Sequence, residues 1–301
     1  MTTAPKSPSI ALDVAPSWWR RLSLLLRELY SKPISALGTT ITLLFLLAAI
    51  FGPLIAPYGE NEIIPSEARQ PPSSEHWFGT DNLGRDVFSR VILGAREILV
   101  LSGLGTLFAV ICGTLFGLLT GYRGGWFDEI TMRTFDSLLA LPALLLALLL
   151  LGTVGNSQYS VLIVIIIVYT PIVARVVRSV VLTVKPKGFV EAARLGGETQ
   201  MYILIHEILP SVWPALSVES ALRFSYAIFL VGSLGFLGVG VQPPSPNWGL
   251  MVKEARPFAS LIPWALFFPA AAISLVVIGV NLLADGMKRI LGTTRTSQSR
   301  S

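Results

Sequence analysis

Side chains able to move protons, hold a metal or attack a substrate are few and scattered in this sequence. Its 301 residues include 2 histidines, His76 and His206, and one cysteine, Cys112, which sits inside an apolar run. Asp128, Glu129 and Asp136 form a loose acidic group, but no nucleophile with a matching base accompanies them, so acid–base or covalent catalysis has no equipment here. The glycine-rich loop ending in Lys-Ser or Lys-Thr that cradles nucleotide phosphates is also missing. One carboxylate is set apart by the order around it: Glu191-Ala192-Ala193-Arg194-Leu195-Gly196-Gly197, followed by Ile208-Leu209-Pro210. Ala192, Ala193, Gly196 and Gly197 give a low surface on which a second protein can close, and Glu191 adds a fixed charge for a basic or amide-bearing counterpart. The chemistry expected there is contact, not bond-breaking. Glu219 and Arg223 are four residues apart and can pair on one helix face. Such a pair either touches a solute path or a neighbouring helix, or marks the end of a membrane span.

The elements that must position these residues are membrane helices. The chain is 52% hydrophobic and 14% charged, with a mean hydropathy of +0.67, too little polar surface for a soluble globule. A bilayer core of about 30 Å needs about 20 apolar residues in a helix. Six charge-free runs qualify: Ala36 to Ala56, Ile98 to Tyr122, Ser137 to Gly155, Tyr159 to Ala174, Phe224 to Val241 and Leu261 to Ala284. The fourth is short unless Val176 and Val177 extend it, and the fifth is expected to begin near Leu216. Met1 to Ser17 has no apolar core and reads as a disordered cytoplasmic tail rather than a signal peptide. Trp18 to Lys32 reads either as an interfacial helix or as an extension of the first span.

Six spans put both termini on one side, and basic residues say which. Lys6, Arg20, Arg21, Arg27 and Lys32 precede the first span, and Arg123 and Arg133 separate the second from the third. Arg175, Arg178, Lys185, Lys187 and Arg194 follow the fourth, and Lys288, Arg289, Arg295 and Arg300 end the chain. The other side carries Arg69, Arg85, Arg90, Arg96, Lys253 and Arg256. This bias places both termini and the Glu191 segment in the cytoplasm, and it accounts for the basic pI of about 9.5 without nucleic acid. His76 and His206 then lie on opposite sides and cannot share a metal.

Within the cytoplasmic segment 187–210, Gly196-Gly197 is expected to break a helical hairpin. Met201, Leu204, Ile205 and Ile208 follow i, i+3, i+4, i+7 spacing and predict a buried face, with Thr199, Gln200, His206 and Glu207 opposite. On the other side of the membrane, Val87 onward is expected to run as an amphipathic helix into the second span, capped by Asp81 or Asp86. Gly113, Gly117 and Gly121, and again Gly232, Gly235 and Gly238, allow close helix approach, and Pro142, Pro171, Pro263 and Pro269 are expected to kink or bound helices.

The Glu-Ala-Ala segment with Gly197 and Leu209-Pro210 resembles the EAA motif of ABC-importer permeases. Glu207 departs from it, since the family often has a hydrophobic residue three positions before the proline. The run Gly79-Thr80-Asp81-Asn82-Leu83-Gly84-Arg85-Asp86 and the stretch Gly235 to Pro244, followed by Asn247-Trp248-Gly249, resemble the C-type permease subunit of dipeptide, oligopeptide and nickel importers. This resemblance covers all but about the first thirty residues. It implies an all-α integral membrane protein with six transmembrane helices, the type I importer permease fold and cytoplasmic coupling helices. Glu191, Ala192, Ala193, Gly197, Leu209 and Pro210 would be the residues that couple to the ATPase. The implied partners are a second, homologous permease subunit, two ATP-binding subunits, a periplasmic solute-binding protein and membrane lipid. ATP and Mg would be bound by the ATPase subunits, with no cofactor or metal in this chain.

The expected organisation is a cytoplasmic tail and interfacial helix (1–35), a first span with an outer amphipathic segment (36–97), a five-helix core (98–286) and a cytoplasmic tail (287–301). The expected function is ATP-driven import of dipeptides or oligopeptides across the inner membrane, the chain itself being no enzyme. Nickel, glutathione or another small solute is the alternative within the family. A self-contained channel or secondary transporter, or a membrane-embedded enzyme, would need intramembrane charges or convergent titratable groups and would have no use for the Glu191 segment.

Overall fold

The computed structural model describes the chain from residue 27 to residue 298, with side chains to residue 290. The expected tail 1–17 lies outside the described residues, as does the 18–32 segment up to residue 27, after which 27–30 form a helical turn. Among the described residues the architecture is all α, and the one isolated bridge joins Thr80 and Asp86. The helices are α1 (Pro33–Ile55), α2 (Val87–Arg123), α3 (Gly125–Leu139), α4 (Ala143–Val154), α5 (Gln158–Val184), α6 (Gly188–Leu195), α7 (Gln200–Leu237), α8 (Trp248–Ala255) and α9 (Pro263–Gln298). Five of them, α1, α2, α5, α7 and α9, are long and apolar enough to cross a membrane. A sixth span exists if the bent pair α3 and α4 counts as one.

That pair corrects the expected third span. Ser137 to Leu139 close α3, and the chain then bends by 95° before α4. Proline explains the break: Pro142 has no amide hydrogen to give, and it pushes Leu141 out of the helical region. The 12 residues of α4 reach about 18 Å, short of a bilayer core. Charged α3 is tied to α5 by Asp128, whose two oxygens accept from Nε and Nη2 of Arg178 at 2.6 Å each, and by Asp136, which accepts from Arg175 at 2.5 Å. The acidic group is therefore structural in part, not a solvated loop.

Other boundaries moved outward. α5 runs to Val184, well beyond Ala174, and α9 continues past Ala284 to Gln298, so residues expected to form a tail are helical. Pro171 and Pro269 lie inside continuous helices. Asp86 caps α2, its Oδ2 accepting from the amide of Ser89 at 2.7 Å, and α2 does run without interruption from the outer segment into the span.

The centre of the bundle is the seam between α2 and α5. A Cβ built on Gly105 would sit 2.7 Å from Ile165, on Gly113 2.6 Å from Val173, and on Gly117 2.6 Å from both Val177 and the carbonyl oxygen of Ala174. No side chain fits, so the backbones meet directly, as small residues permit in membrane helices. Gly232 and Gly235 serve a different contact. A Cβ on Gly235 would meet the Asn247 side chain at 2.5 Å, and one on Gly249 would meet the carbonyl oxygen of Gly232 at 2.0 Å, so this part of α7 receives the short helix α8, while a Cβ on Gly232 would meet Ile273 of α9 at 3.2 Å. Gly238, at φ +78, ends α7 in the left-handed conformation that glycine adopts without strain.

The seam generates a prediction. Gly117→Val forces overpacking against backbone as well as side chain and should cost about 1–3 kcal/mol. It should lower the thermal unfolding midpoint of the detergent-solubilised protein, whereas Gly152→Val, whose Cβ meets nothing within 4 Å, should not. Equal midpoints for the two variants would contradict the packing.

Candidate functional site

The segment 188–210 folds as the hairpin of α6 and the start of α7. Lys187 leads into α6, and the helix is closed by a Schellman turn: the amide of Gly197 donates to the Arg194 carbonyl at 3.1 Å, and that of Glu198 donates to the Ala193 carbonyl at 3.2 Å. Gly197 stands at φ +82, the left-handed position this turn requires, and a Cβ there would meet nothing within 4 Å. Thr199 caps the next helix, its hydroxyl accepting from the Tyr202 amide at 3.3 Å.

The amphipathic spacing expected for the second piece is overturned by a π turn at Ile203–Ile208. With i→i+5 bonding each turn holds an extra residue, so Ile203 and Ile208 come to the same side. Ile203, Leu204 and Ile208 are buried, while Met201 and Ile205, expected beside them, face outward. The buried set joins Val190 of α6 and packs on Leu118, Val177, Val181 and Val184 from α2 and α5. Glu207 is half-buried, and the neighbouring Ile208 supplies the apolar contact.

What remains on the surface is an apolar patch fringed by charge. Leu195 is 81% exposed and Met201 62%, with Phe189 and Ile205 also exposed. Glu191 and Arg194 lie beside them, 3.9 Å apart and both exposed. Arg194 and Lys185 lie over the Tyr122 ring, at 5.8 and 5.6 Å from its centre, and Lys185 donates to the Tyr122 carbonyl at 2.6 Å. Of the residues singled out by sequence, Glu191, Ala192 and Gly197 are exposed together and Ala193 is half-buried. Leu209 packs under the hairpin and Pro210 opens the α-helical part of α7, so these two position the patch rather than form it. The sequence reading missed Phe189, Met201 and Ile205 as surface, and only knowledge of the π turn reveals the latter two.

A second group lies within the bundle. Arg223 falls midway between Leu209 and Leu237. Its Nε is 2.8 Å from Oε1 of Glu219, both side chains being 13% exposed, but the two are not aligned for a hydrogen bond. The guanidinium lies over Tyr226 at 4.8 Å and Tyr169 at 5.8 Å.

At the far end of α2 the run Thr80 to Asp86 forms a polar clasp. Asp81 accepts from the amides of Leu83 and Arg85 and from Arg85 Nε, and Arg85 Nη2 donates to Glu254 at 2.6 Å. Arg90, fully buried, donates to the carbonyls of Glu60 and Ser245. Trp248 Nε1 donates to the Val91 carbonyl at 2.9 Å and Trp264 Nε1 to the Thr80 carbonyl at 3.0 Å, so this clasp joins α8 and α9 to the start of α2. His76 is buried with Asp86 on Nδ1 at 2.9 Å and Glu67 on Nε2 at 3.0 Å. It is therefore an ion-paired group rather than an ordinary polar-face residue. Among the described residues no three His, Cys, Asp or Glu side chains are grouped to hold a metal.

Residues 113–295 match the family described as binding-protein-dependent transport system inner membrane component, and residues 17–72 match the N-terminal TM domain of oligopeptide transport permease C. The chain is 40% identical over 292 residues to the dipeptide transport system permease protein DppC of Alkalihalophilus pseudofirmus, covering 97% of this chain and 95% of that one. It is 40% identical over 275 residues to the glutathione transport system permease protein GsiD of Escherichia coli, covering 91% and 88%. A chain of the inward-facing MetNI methionine ABC transporter superposes with a TM-score of 0.54 at 20% identity, covering 68% of this chain and 95% of that chain, and so shares the fold.

The clasp carries a pH dependence. Burial opposes the charge on His76, but its hydrogen bonds to Asp86 and Glu67 outweigh this and hold its pKa above the ordinary 6.5. A raised folded value means stabilisation that is complete below the unfolded value and is lost as pH rises through the folded one. The thermal midpoint should therefore fall as pH rises above the ordinary histidine value of about 6.5, and His76→Gln should flatten that slope while costing about 2 kcal/mol at acid pH. A slope retained in the variant would remove His76 as its cause.

Proposed function

Because this chain belongs to the family of binding-protein-dependent transport system inner membrane components, we propose that its α6–α7 hairpin docks onto an ATP-hydrolysing subunit and that its solute is a short peptide. The chain is a multi-pass inner-membrane permease of an ATP-driven importer of the peptide and glutathione type. It works with ATPase and binding-protein partners and is not itself an enzyme.

The observation that supports docking is the combination in one hairpin of a buried inner face and a bare apolar outer one, with Leu195 81% exposed beside Glu191 and Arg194. Apolar area of this kind, rimmed by charge at a polar end of a bundle, marks a protein contact. In this reading Glu191, Ala192, Ala193 and Gly197 meet the ATPase, and Leu209 and Pro210 hold them against the bundle. The full importer then contains a second, homologous permease subunit and two ATPase subunits, which carry ATP and Mg. With α3 and α4 counted together as one span, the positive-inside count supports a cytoplasmic hairpin and cytoplasmic termini. The likeness to DppC supports dipeptides, the match to the N-terminal domain of oligopeptide transport permease C supports longer peptides, and the equal 40% identity to GsiD keeps glutathione, itself a modified tripeptide, as the second reading.

Two measurements test this. In the assembled importer, Glu191→Lys and Gly197→Asp should each reduce import about tenfold or more by weakening the docked state a few kcal/mol. Asp tolerates the left-handed turn, and at Gly197 it meets open space, so the chain should still reach the membrane in normal amount. Import at the unmodified rate by both variants would refute docking through this hairpin. For orientation, in a Cys112→Ala background, Ser66→Cys should react with an impermeant thiol reagent from outside and Glu198→Cys should not. Labelling of the latter would reverse the topology.

A further inference from the structure

We infer that Arg223, flanked by Tyr169 and Tyr226, is a transient binding site for the free carboxylate of the solute as it crosses the bundle. The inference rests on the proposed reading that the solute is a short peptide, whose shared chemical feature is a terminal carboxylate. A cavity of about 290 Å³ opens beside α7, lined by Leu144, Tyr169, Arg223, Tyr226, Phe229 and Ser233 among others, and Arg223 is its one charged residue. A second cavity of about 420 Å³ shares Leu144, Phe229 and Ser233 with it and continues toward the seat of α8 at Gly232 and Gly249. Together their lining residues trace a largely apolar surface along α7 in which Arg223 is the one charged member among the described residues.

The flank that carries this surface is bare in the lone chain, where Tyr226 and Phe229 are at least half exposed. A guanidinium turned toward lipid is costly, and ionisable groups within membrane helices face bundle interiors or water-filled cavities. The flank therefore belongs to the path between this subunit and a second one, not to the lipid boundary. Glu219 does not line the cavity, and although it lies within 2.8 Å it makes no aligned hydrogen bond to Arg223. The guanidinium lies over both tyrosine rings, and arginine is the side chain suited to a planar, two-pronged contact with a carboxylate. Glu219 also weakens the hold on a second carboxylate, as a passage site must if the solute is to leave again.

The test uses the complete importer, with its partner subunits and binding protein, reconstituted in proteoliposomes and given alanyl-alanine and glutathione in turn. Arg223→Gln should lower import of whichever solute is carried by about tenfold or more, while Arg223→Lys, which keeps the charge, should retain most of it. The Glu219→Gln, Arg223→Gln double variant decides between roles. If Arg223 binds solute the double variant stays impaired; if it only neutralises Glu219 the double variant regains the unmodified rate and the inference is wrong. Unmodified import by Arg223→Gln would also overturn it. Should the single variant assemble poorly, the double variant, which leaves no unpaired charge, carries the comparison. Import of neither solute by the unmodified complex would defeat the peptide reading itself, and this inference with it.

Discussion

The direct contact of the α2 and α5 backbones is the constraint on which the hairpin end of the molecule depends. In lipid there is no hydrophobic drive to bring two apolar helices together, so association relies on close packing, and Gly105, Gly113, Gly117 and Gly121 provide it by having nothing to put between the backbones. Once the helices touch, Leu118 from one and Val177, Val181 and Val184 from the other form a continuous apolar shelf. Val190, Ile203, Leu204 and Ile208 rest on that shelf. A hairpin of this size would not hold its shape alone, because isolated helices of eight residues are unstable in water. Its rigidity is inherited from the glycine seam beneath it.

The π turn solves a conflict between two demands on α7. The first demand is that the start of the helix turn an apolar face to the shelf; the second is that the span beyond it present Gly232 and Gly235 to α8. A regular helix fixes the angular relation between those faces by residue count. One widened turn at Ile203–Ile208 resets it, bringing Ile203 and Ile208 onto the shelf and turning Met201 and Ile205 outward. The apolar residues released in this way are the ones that make the outer patch attractive to another protein.

Sequence reading found the five long membrane helices and the hairpin, though not α3 or α8, because these depend on local signals: charge-free runs, glycine breaks and a cap at Asp81 or Asp86. It failed where structure depends on context. Ser137 to Gly155 reads as one apolar span, yet Pro142 and the ion pairs of α3 with Arg175 and Arg178 divide it. The face of the hairpin was misassigned because 3.6-residue periodicity assumes a helix without bulges. Glu219 and Arg223 were legible as a pair, but not the cavity beside Arg223, since Tyr169 comes from a helix fifty residues away in sequence. Burial of His76 was equally hidden, because Glu67 and Asp86 reach it from a short helical turn and a helix cap that local periodicity does not relate.

A consequence of the continuity of α7 is that three contacts share one body. Its first turns carry the outer patch, its middle carries Arg223, and its last turns seat α8, which the clasp of Arg85, Arg90, Glu254 and Trp248 fastens to the start of α2. A helix transmits axial displacement well because its hydrogen bonds run along the axis, and no proline break comparable to that at Pro142 interrupts this one. With the docking role proposed for the hairpin, a partner that shifts α6 and the π turn cannot leave Arg223 or the α8 seat where they were unless α7 bends. The π turn, with Pro210 and Pro214 just after it, marks the stretch of α7 where hydrogen bonding already departs from the regular pattern. This turn lies between α6 and the rest of the span, so the fraction of a push that reaches Arg223 is set by how stiffly Ile203, Leu204 and Ile208 are held on the shelf, which returns the question of coupling to the packing of α2 on α5.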